Sequence, residues 1–201
     1  KFPRIVLDED ADEALERAEQ CSVHDVHAVR AVVGGTKYLI LSDRNVDAEN
    51  VPISAALAGG AVHHRLVDEG LRSLAGVILE SDEPRDSHHL ACLLTNGADA
   101  VSPRLALESL ADLAKQGRLG GDVPADEAQQ HYFKALQDGL LKIMSKMGIS
   151  TVGAYTAAQI FEAVGLSNDL LDEYLHHAPP STELGRAEVE WRRRRLADAQ
   201  H

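Results

Sequence analysis

Three short apolar runs, Tyr38–Leu41, Leu74–Leu79 and Ala98–Val101, alternate with stretches of helical periodicity, and this alternation most constrains the fold. Tyr38–Leu41 has the unbroken apolar character of a strand covered on both faces, as in a parallel sheet. Phe2–Leu7 is a further candidate strand at the start. The helical stretches are Asp10–Val33, Ser54–Gly70, His88–Leu94 and Ala106–Lys115. Gly34-Gly35 ends the first of them and Asn96-Gly97 the third. The resulting βαβαβαβ order with short connections predicts right-handed crossovers and one parallel sheet. The expected class is α/β: repeated βα units, an incomplete barrel-like architecture and a helical C-terminal tail.

Beyond the glycine-rich Gly117–Pro124, the best internal boundary, a second pattern begins. Phe133, Leu136, Leu140, Ile143 and Met147 recur at steps of three and four, which predicts a helix with that apolar side. Gly148 stops it. Ile149–Val152 then reads as a short buried strand, and Gln159–Val164 as the start of another helix ending at Gly165. Ser150, Thr151, Tyr155, Thr156 and Gln159 are the polar groups expected at the carboxyl end of that strand, where α/β folds gather ligands; Lys142 and Lys146 lie just upstream. Ser167 is a good N-cap for a helix running to Leu175. Two prolines break the chain at His176–Ser181, and Glu183–Gln200 is a polar helix carrying Arg192–Arg195. That basic run reads as solvated or docked on the protein's own acidic surface, with an arm for an anionic partner as the alternative.

Charge narrows the partners. A formal net charge of −12 opposes phosphate neutralisation, and 4% aromatic residues offer little for base stacking, so nucleic acid is not an expected partner. No window approaches the ~18 apolar residues of a membrane helix, and no secretory signal stands at the start. The two cysteines, Cys21 and Cys92, make no disulfide framework, which fits a reducing cytoplasm.

Few residues stand out for chemistry, and none is singled out as catalytic. The adjacent pairs His63-His64 and His88-His89 diverge by about 100° on a helix, so one ring of each is expected to face the sheet. Structural hydrogen bonding accounts for them; a composite metal or ligand site drawing one His from each pair is the alternative. Cys21, His24 and His27 are spaced Cys-x2-His-x2-His, a combination suited to zinc or haem iron. Cys21 and His24 share a helix face while His27 lies farther round, and exposed helix residues are the plainer reading. Cys92 reads as a core thiol. Asp43 and Arg44, after the first apolar run, read as turn chemistry with a local ion pair or as a ligand-facing loop. No phosphate-cradling loop, GxGxxG fingerprint, HExxH or nucleophile elbow is present.

The runs LILSDR (Leu39–Arg44), GAVHHRLVDEGLR (Gly60–Arg72), HHLACLLTNGADAVSP (His88–Pro103) and MSKMGIST (Met144–Thr151) with AAQIFEAVGL (Ala157–Leu166) stand in one order. Together they resemble the glutamate synthase large subunit, at the end of its central domain and the start of its flavin-binding domain. The resemblance spans roughly Tyr38 to Leu175. It implies a central-domain-like α/β region at 1–116, a linker at 117–128, the first βα unit of a domain that binds flavin mononucleotide at 129–178, and a polar C-terminal helix at 179–201. By position it implies that Lys146 and Gln159, with Ser150 and Thr151, line the flavin and 2-oxoglutarate site. An ammonium attracts carboxylates there and an amide orients them.

The departures are as informative. Where the family usually has Ser-Tyr-Arg-Gly-Ala-Gln, this chain has Ala154, Tyr155, Thr156, Ala157, Ala158 and Gln159, so an anion-binding arginine is missing at Thr156. Most strands that would hold the flavin, the cysteine cluster of an iron–sulfur centre and the nucleophilic cysteine of a glutaminase are also missing. The expected protein is therefore a truncated, cytoplasmic glutamate-synthase-like subunit in amine-transfer and redox chemistry, an oxidoreductase acting on CH–NH2 donors if active. An unfinished barrel exposes a sheet edge and apolar helix faces, so a homo-oligomer or a heteromer with another chain is expected. Two alternatives stand beside it: a stand-alone ligand- or protein-binding module, and a small enzyme with haem or zinc at Cys21, His24 and His27.

Overall fold

The computed structural model describes residues 23–44, 52–121 and 123–158, together with Ile160, Phe161, Ala163, Leu166, Leu171, Tyr174 and Leu175. In chain order the elements are α1 (Val23–Val33), β1 (Tyr38–Ser42), α2 (Ala55–Asp68), β2 (Gly76–Ser81), α3 (Ser87–Thr95), β3 (Ala100–Pro103), α4 (Arg104–Lys115), α5 (Ala125–Met147) and α6 (Val152–Tyr155). The three described strands form one parallel sheet in the order β1-β2-β3, not closed into a barrel. Phe2–Leu7, the part of Asp10–Val33 before Val23, and the Glu183–Gln200 tail lie outside the described residues. The fold is α/β, as the alternation predicts.

One face of the sheet makes the core. Leu39, Leu41, Val77 and Leu79 are buried against Ala28, Val32, Val62 and Leu66 from α1 and α2 and against Ala91 and Leu94 from α3. Register places Ile40, Ile78 and Ala100 in one row on the opposite face. There Tyr38 is 70% exposed and Ile40 41% exposed. Parallel sheets normally bury both faces, and the described residues leave this one open.

Two strands start later than the sequence suggests. Arg72–Leu74 form a 3-10 turn, so β2 begins at Gly76 rather than Leu74. The Arg72 guanidinium donates to His63 Nδ1 (2.8 Å), to the carbonyls of Ala75 and Gly97 (both 2.9 Å) and to Asp99 Oδ2 (2.7 Å). The chain must curl to place Arg72 among these acceptors before it can extend. Asp99 Oδ2 also accepts from Val77 N at 2.8 Å, and β3 pairs only from Ala100 onward.

α5 packs against α3 and α4. Its buried residues are Ala128, Leu136 and Met144. Phe133 and Met147, expected on the apolar side, are exposed, and Leu140 and Ile143 are half-buried. The helix rests on two other helices along a narrow strip and not on the sheet, so fewer of its apolar positions find cover. Gly148 ends it in the left-handed region at φ +73°, as its position suggests.

The expected strand Ile149–Val152 does not form. Ile149 N donates back to Met144 O, Ile149 and Ser150 are irregular, and the Thr151 hydroxyl accepts from Ala154 N to cap α6. The local cap turns the chain straight into a helix, and among the described residues no neighbouring strand offers ladder hydrogen bonds to compete. The expected helix Gln159–Val164 is also corrected: Ile160 and Phe161 are non-helical and Ala163 makes a single β-bridge. Farther on, Leu171 and Tyr174 are helical, as the Ser167–Leu175 reading expects, and Leu171 and Leu175 pack with Leu57 of α2.

Candidate functional site

Each strand carries a serine at or next to its end, followed by charge or proline: Ser42-Asp43-Arg44, Ser81-Asp82-Glu83 and Ser102-Pro103-Arg104. Parallel pairing brings these ends together at the carboxyl edge, where α/β proteins build their sites. Arg44 Nε and Nη2 donate to the two carboxylate oxygens of Glu80 at 2.6 and 2.8 Å, and Ser42 Oγ donates to Glu80 Oε1 at 2.6 Å. Asp43 Oδ2 accepts from Ser81 Oγ at 2.7 Å and from Asp82 N at 2.8 Å. Arg104, at the start of α4, bridges Asp82 (2.5 Å) and Asp43 (3.4 Å). Glu83 closes the other side: its Oε2 accepts from Ala55 N at 2.8 Å and caps α2, which the Ser54 side chain does not. A shallow cleft between the ends of β1 and β2 and the start of α2 is lined by Ser42, Asp43, Ile53, Ala55 and Glu80.

Electrostatics follow the geometry. Hydrogen bonds from Arg44 and Ser42 bring the Glu80 carboxyl down to about 2, against a small opposing effect of burial. Burial and neighbouring Asp43 push Asp82 up, and Arg104 opposes them. Burial pushes Glu83 up, with the Ala55 amide pulling it down. Both arginines at this edge are already paired, so an incoming carboxylate or phosphate must compete with existing ion pairs for them. The arrangement cross-links three strand ends. Of its members, only Asp43 and Arg44 stood out in the sequence; Glu80, Asp82 and Arg104 did not, although the repeated Ser at the strand ends was a readable signal.

Depression of the Glu80 carboxyl sets a pH dependence. A carboxyl lowered by folding adds stability above its unfolded value near 4.5. That contribution disappears as pH falls toward about 2. Glu80→Gln should therefore be less stable than the parent at pH 7, by a modest amount because Arg44 is largely exposed. The gap should narrow steadily below pH 4.5. Urea midpoints at pH 7, 5 and 3 measure it; a gap that stays constant would reject the role given to Glu80.

The flavin set does not assemble at this edge. Lys146, in the last turn of α5, and Ser150 are exposed, and Thr151 is occupied as the α6 cap. Gln159 lies outside the described residues. Tyr155 is fully buried in the core that contains Ala91, Leu94 and Met144. The Thr156 hydroxyl donates to Val152 O at 3.1 Å. Two exposed groups and an engaged hydroxyl do not cradle a flavin by themselves.

The turn that follows carries one departure from the family pattern. Ala157 sits at φ +57°, and its amide donates to Leu94 O at 3.1 Å. This is where the family usually has glycine, which takes such a φ without steric cost. Ala157→Gly should raise stability by about 1 kcal/mol. Thermal or urea unfolding measures the change, and a destabilised variant would contradict the strain assigned to Ala157.

Of the candidate metal set, Cys21 and the side chain of His24 lie outside the described residues. His27 is half-buried, with a buried Nδ1 that has no partner. Among the described residues no group of three or more His, Cys, Asp or Glu is placed to hold an ion. The composite site from the two histidine pairs is not built either, since His63 Nδ1 accepts from Arg72. His63 is buried as expected for one member of its pair, but both His88 and His89 are exposed. No described helix is long and apolar enough to cross a membrane.

Comparison with known proteins now bears on these features. The sequence profile of the glutamate synthase central domain matches residues 11–167. The chain is 44% identical over 160 residues to glutamate synthase (NADH) of Schizosaccharomyces pombe, covering 80% of this chain and 7% of that protein. To the large chain of glutamate synthase (NADPH) of Bacillus subtilis it is 45% identical over 147 residues, covering 73% of this chain and 10% of the relative. It is 42% identical over 160 residues to ferredoxin-dependent glutamate synthase of Pyropia yezoensis, again 73% and 10%. The chain thus spans a tenth or less of the length of these relatives. A profile that runs from Ala11 to Ser167 takes in the sheet, α5 and the sealed turn at Tyr155 alike. The chain belongs to the glutamate synthase central domain family.

Proposed function

We propose that this chain is a structural and connecting module for amine-transfer and redox chemistry of the glutamate synthase type, working with other polypeptide that carries the flavin mononucleotide and the glutaminase. The observation that carries this reading is the open sheet face. Tyr38, Ile40 and Ala100 are exposed where a parallel sheet is ordinarily covered, and paired ions occupy the carboxyl edge. A surface of that kind fits a partner chain or a second copy better than a small substrate. Lys146, Ser150 and Thr151, with Gln159, would then meet a flavin only when the partner closes over them. On this reading the protein acts in the cytoplasm, and oxidoreductase activity on CH–NH2 donors belongs to the assembly.

A second reading has a specific observation behind it. Thr156 replaces the family's arginine and Ala157 its glycine, and Tyr155 is turned into the core. These favour a binding module that has left the parent activity behind. Native mass spectrometry of the protein from its own host separates the two. Co-migration with a flavoprotein, and glutamate formation by that complex but not by the isolated chain, is the expected result. A colourless monomer without flavoprotein would overturn the first reading and leave the second.

A further inference from the structure

His88 and Cys92 are one helical turn apart on α3, and Cys92 Sγ stands 3.7 Å from His88 Nε2. A tetrahedral zinc-class ion with bonds of about 2.0 Å to nitrogen and 2.3 Å to sulfur sets those two atoms roughly 3.5–3.6 Å apart. The observed separation is therefore close to the bite of one ion. The same distance is within reach of a weak sulfur hydrogen bond, which a bound ion would replace. We propose that His88 and Cys92 form a two-residue clip for a single soft d10 cation of the zinc class, with water completing the coordination.

Three surrounding features support the clip. His88 is exposed and Cys92 half-buried, so an ion reaches them from solvent. The His88 ring is held edge-on to Phe161, with centroids 5.4 Å apart, which restrains the ring that would coordinate. Asp86 brings negative charge to the same end of α3, where its carboxylate accepts from the amides of His88 and His89. Binding is written as M2+ plus the Cys92 thiol giving M–S and one released proton, with no change of oxidation state.

The test uses the full chain carrying Cys21→Ser, so that Cys92 is its one thiol, and Cd2+ as the probe. Titration should give a thiolate-to-cadmium charge-transfer band that saturates at one ion per chain. His88→Ala should weaken binding at least tenfold, and Cys92→Ser should abolish the band. Zn2+ should compete for the ion site and slow alkylation of Cys92. No saturable band, or an affinity unchanged by His88→Ala, would overturn the clip and leave a packed helix pair. Because His88 is exposed, circular dichroism of its variant should match the parent, and a folded variant with full affinity counts against the proposal.

Discussion

Gly97→Ala is expected to cost about 4 kcal/mol of stability. Gly97 holds φ +102°, outside the range that side-chain-bearing residues readily adopt. A Cβ there would stand 2.3 Å from Cγ and 2.4 Å from Cβ of His63, which is buried in α2 and cannot swing aside. Backbone strain of roughly 1–3 kcal/mol adds to an overpacking cost of roughly 1–3 kcal/mol. For a chain of this size the melting temperature should fall by roughly 8–16 °C. The urea midpoint should drop without a change in slope. A loss below 1 kcal/mol would mean that α2 and the Asn96-Gly97 turn are not held as tightly as these distances require.

Arg72→Ala should cost about 3 kcal/mol by a different route. The guanidinium is 17% exposed and is the donor to four acceptors. Its ion pair with Asp99 contributes the smaller part, because that carboxylate is 41% exposed and keeps the Val77 amide as a donor. The larger part comes from the carbonyls of Ala75 and Gly97 and from His63 Nδ1, which lose their partner in the interior. Arg72→Lys should recover less than half of the loss, since one ammonium cannot serve acceptors arranged around a planar fork. Gly97 and Arg72 share a hydrogen bond, so the double variant should lose less than the two single losses added. Strict additivity in a double-mutant cycle would show that the two residues act separately.

These two residues also show where the sequence was readable. Gly97 follows an asparagine at the end of a helical stretch, so its turn could be read from neighbours alone. The partners of Arg72 come from α2, from the α3–β3 turn and from Asp99, up to 27 residues away. No local pattern announces them, and β2 was accordingly placed two residues early. The strand ends divide in the same way. Asp43 and Arg44 stood out as a charged pair after an apolar run, yet Arg44 pairs with Glu80 and Asp43 with Ser81 and Arg104, across the sheet.

Local residue order settled the alternation of strand and helix, the αL stop at Gly148 and membership of the family, because each rests on neighbours or on runs of identity along the chain. Folding decided what those pieces are used for. Ile149–Val152 had the apolar start of a strand, but a strand needs a neighbour to accept its hydrogen bonds. The Thr151 cap was closer at hand. The three strand ends became a lattice of ion pairs only when parallel pairing set them side by side, since charges find partners through space and not along the sequence.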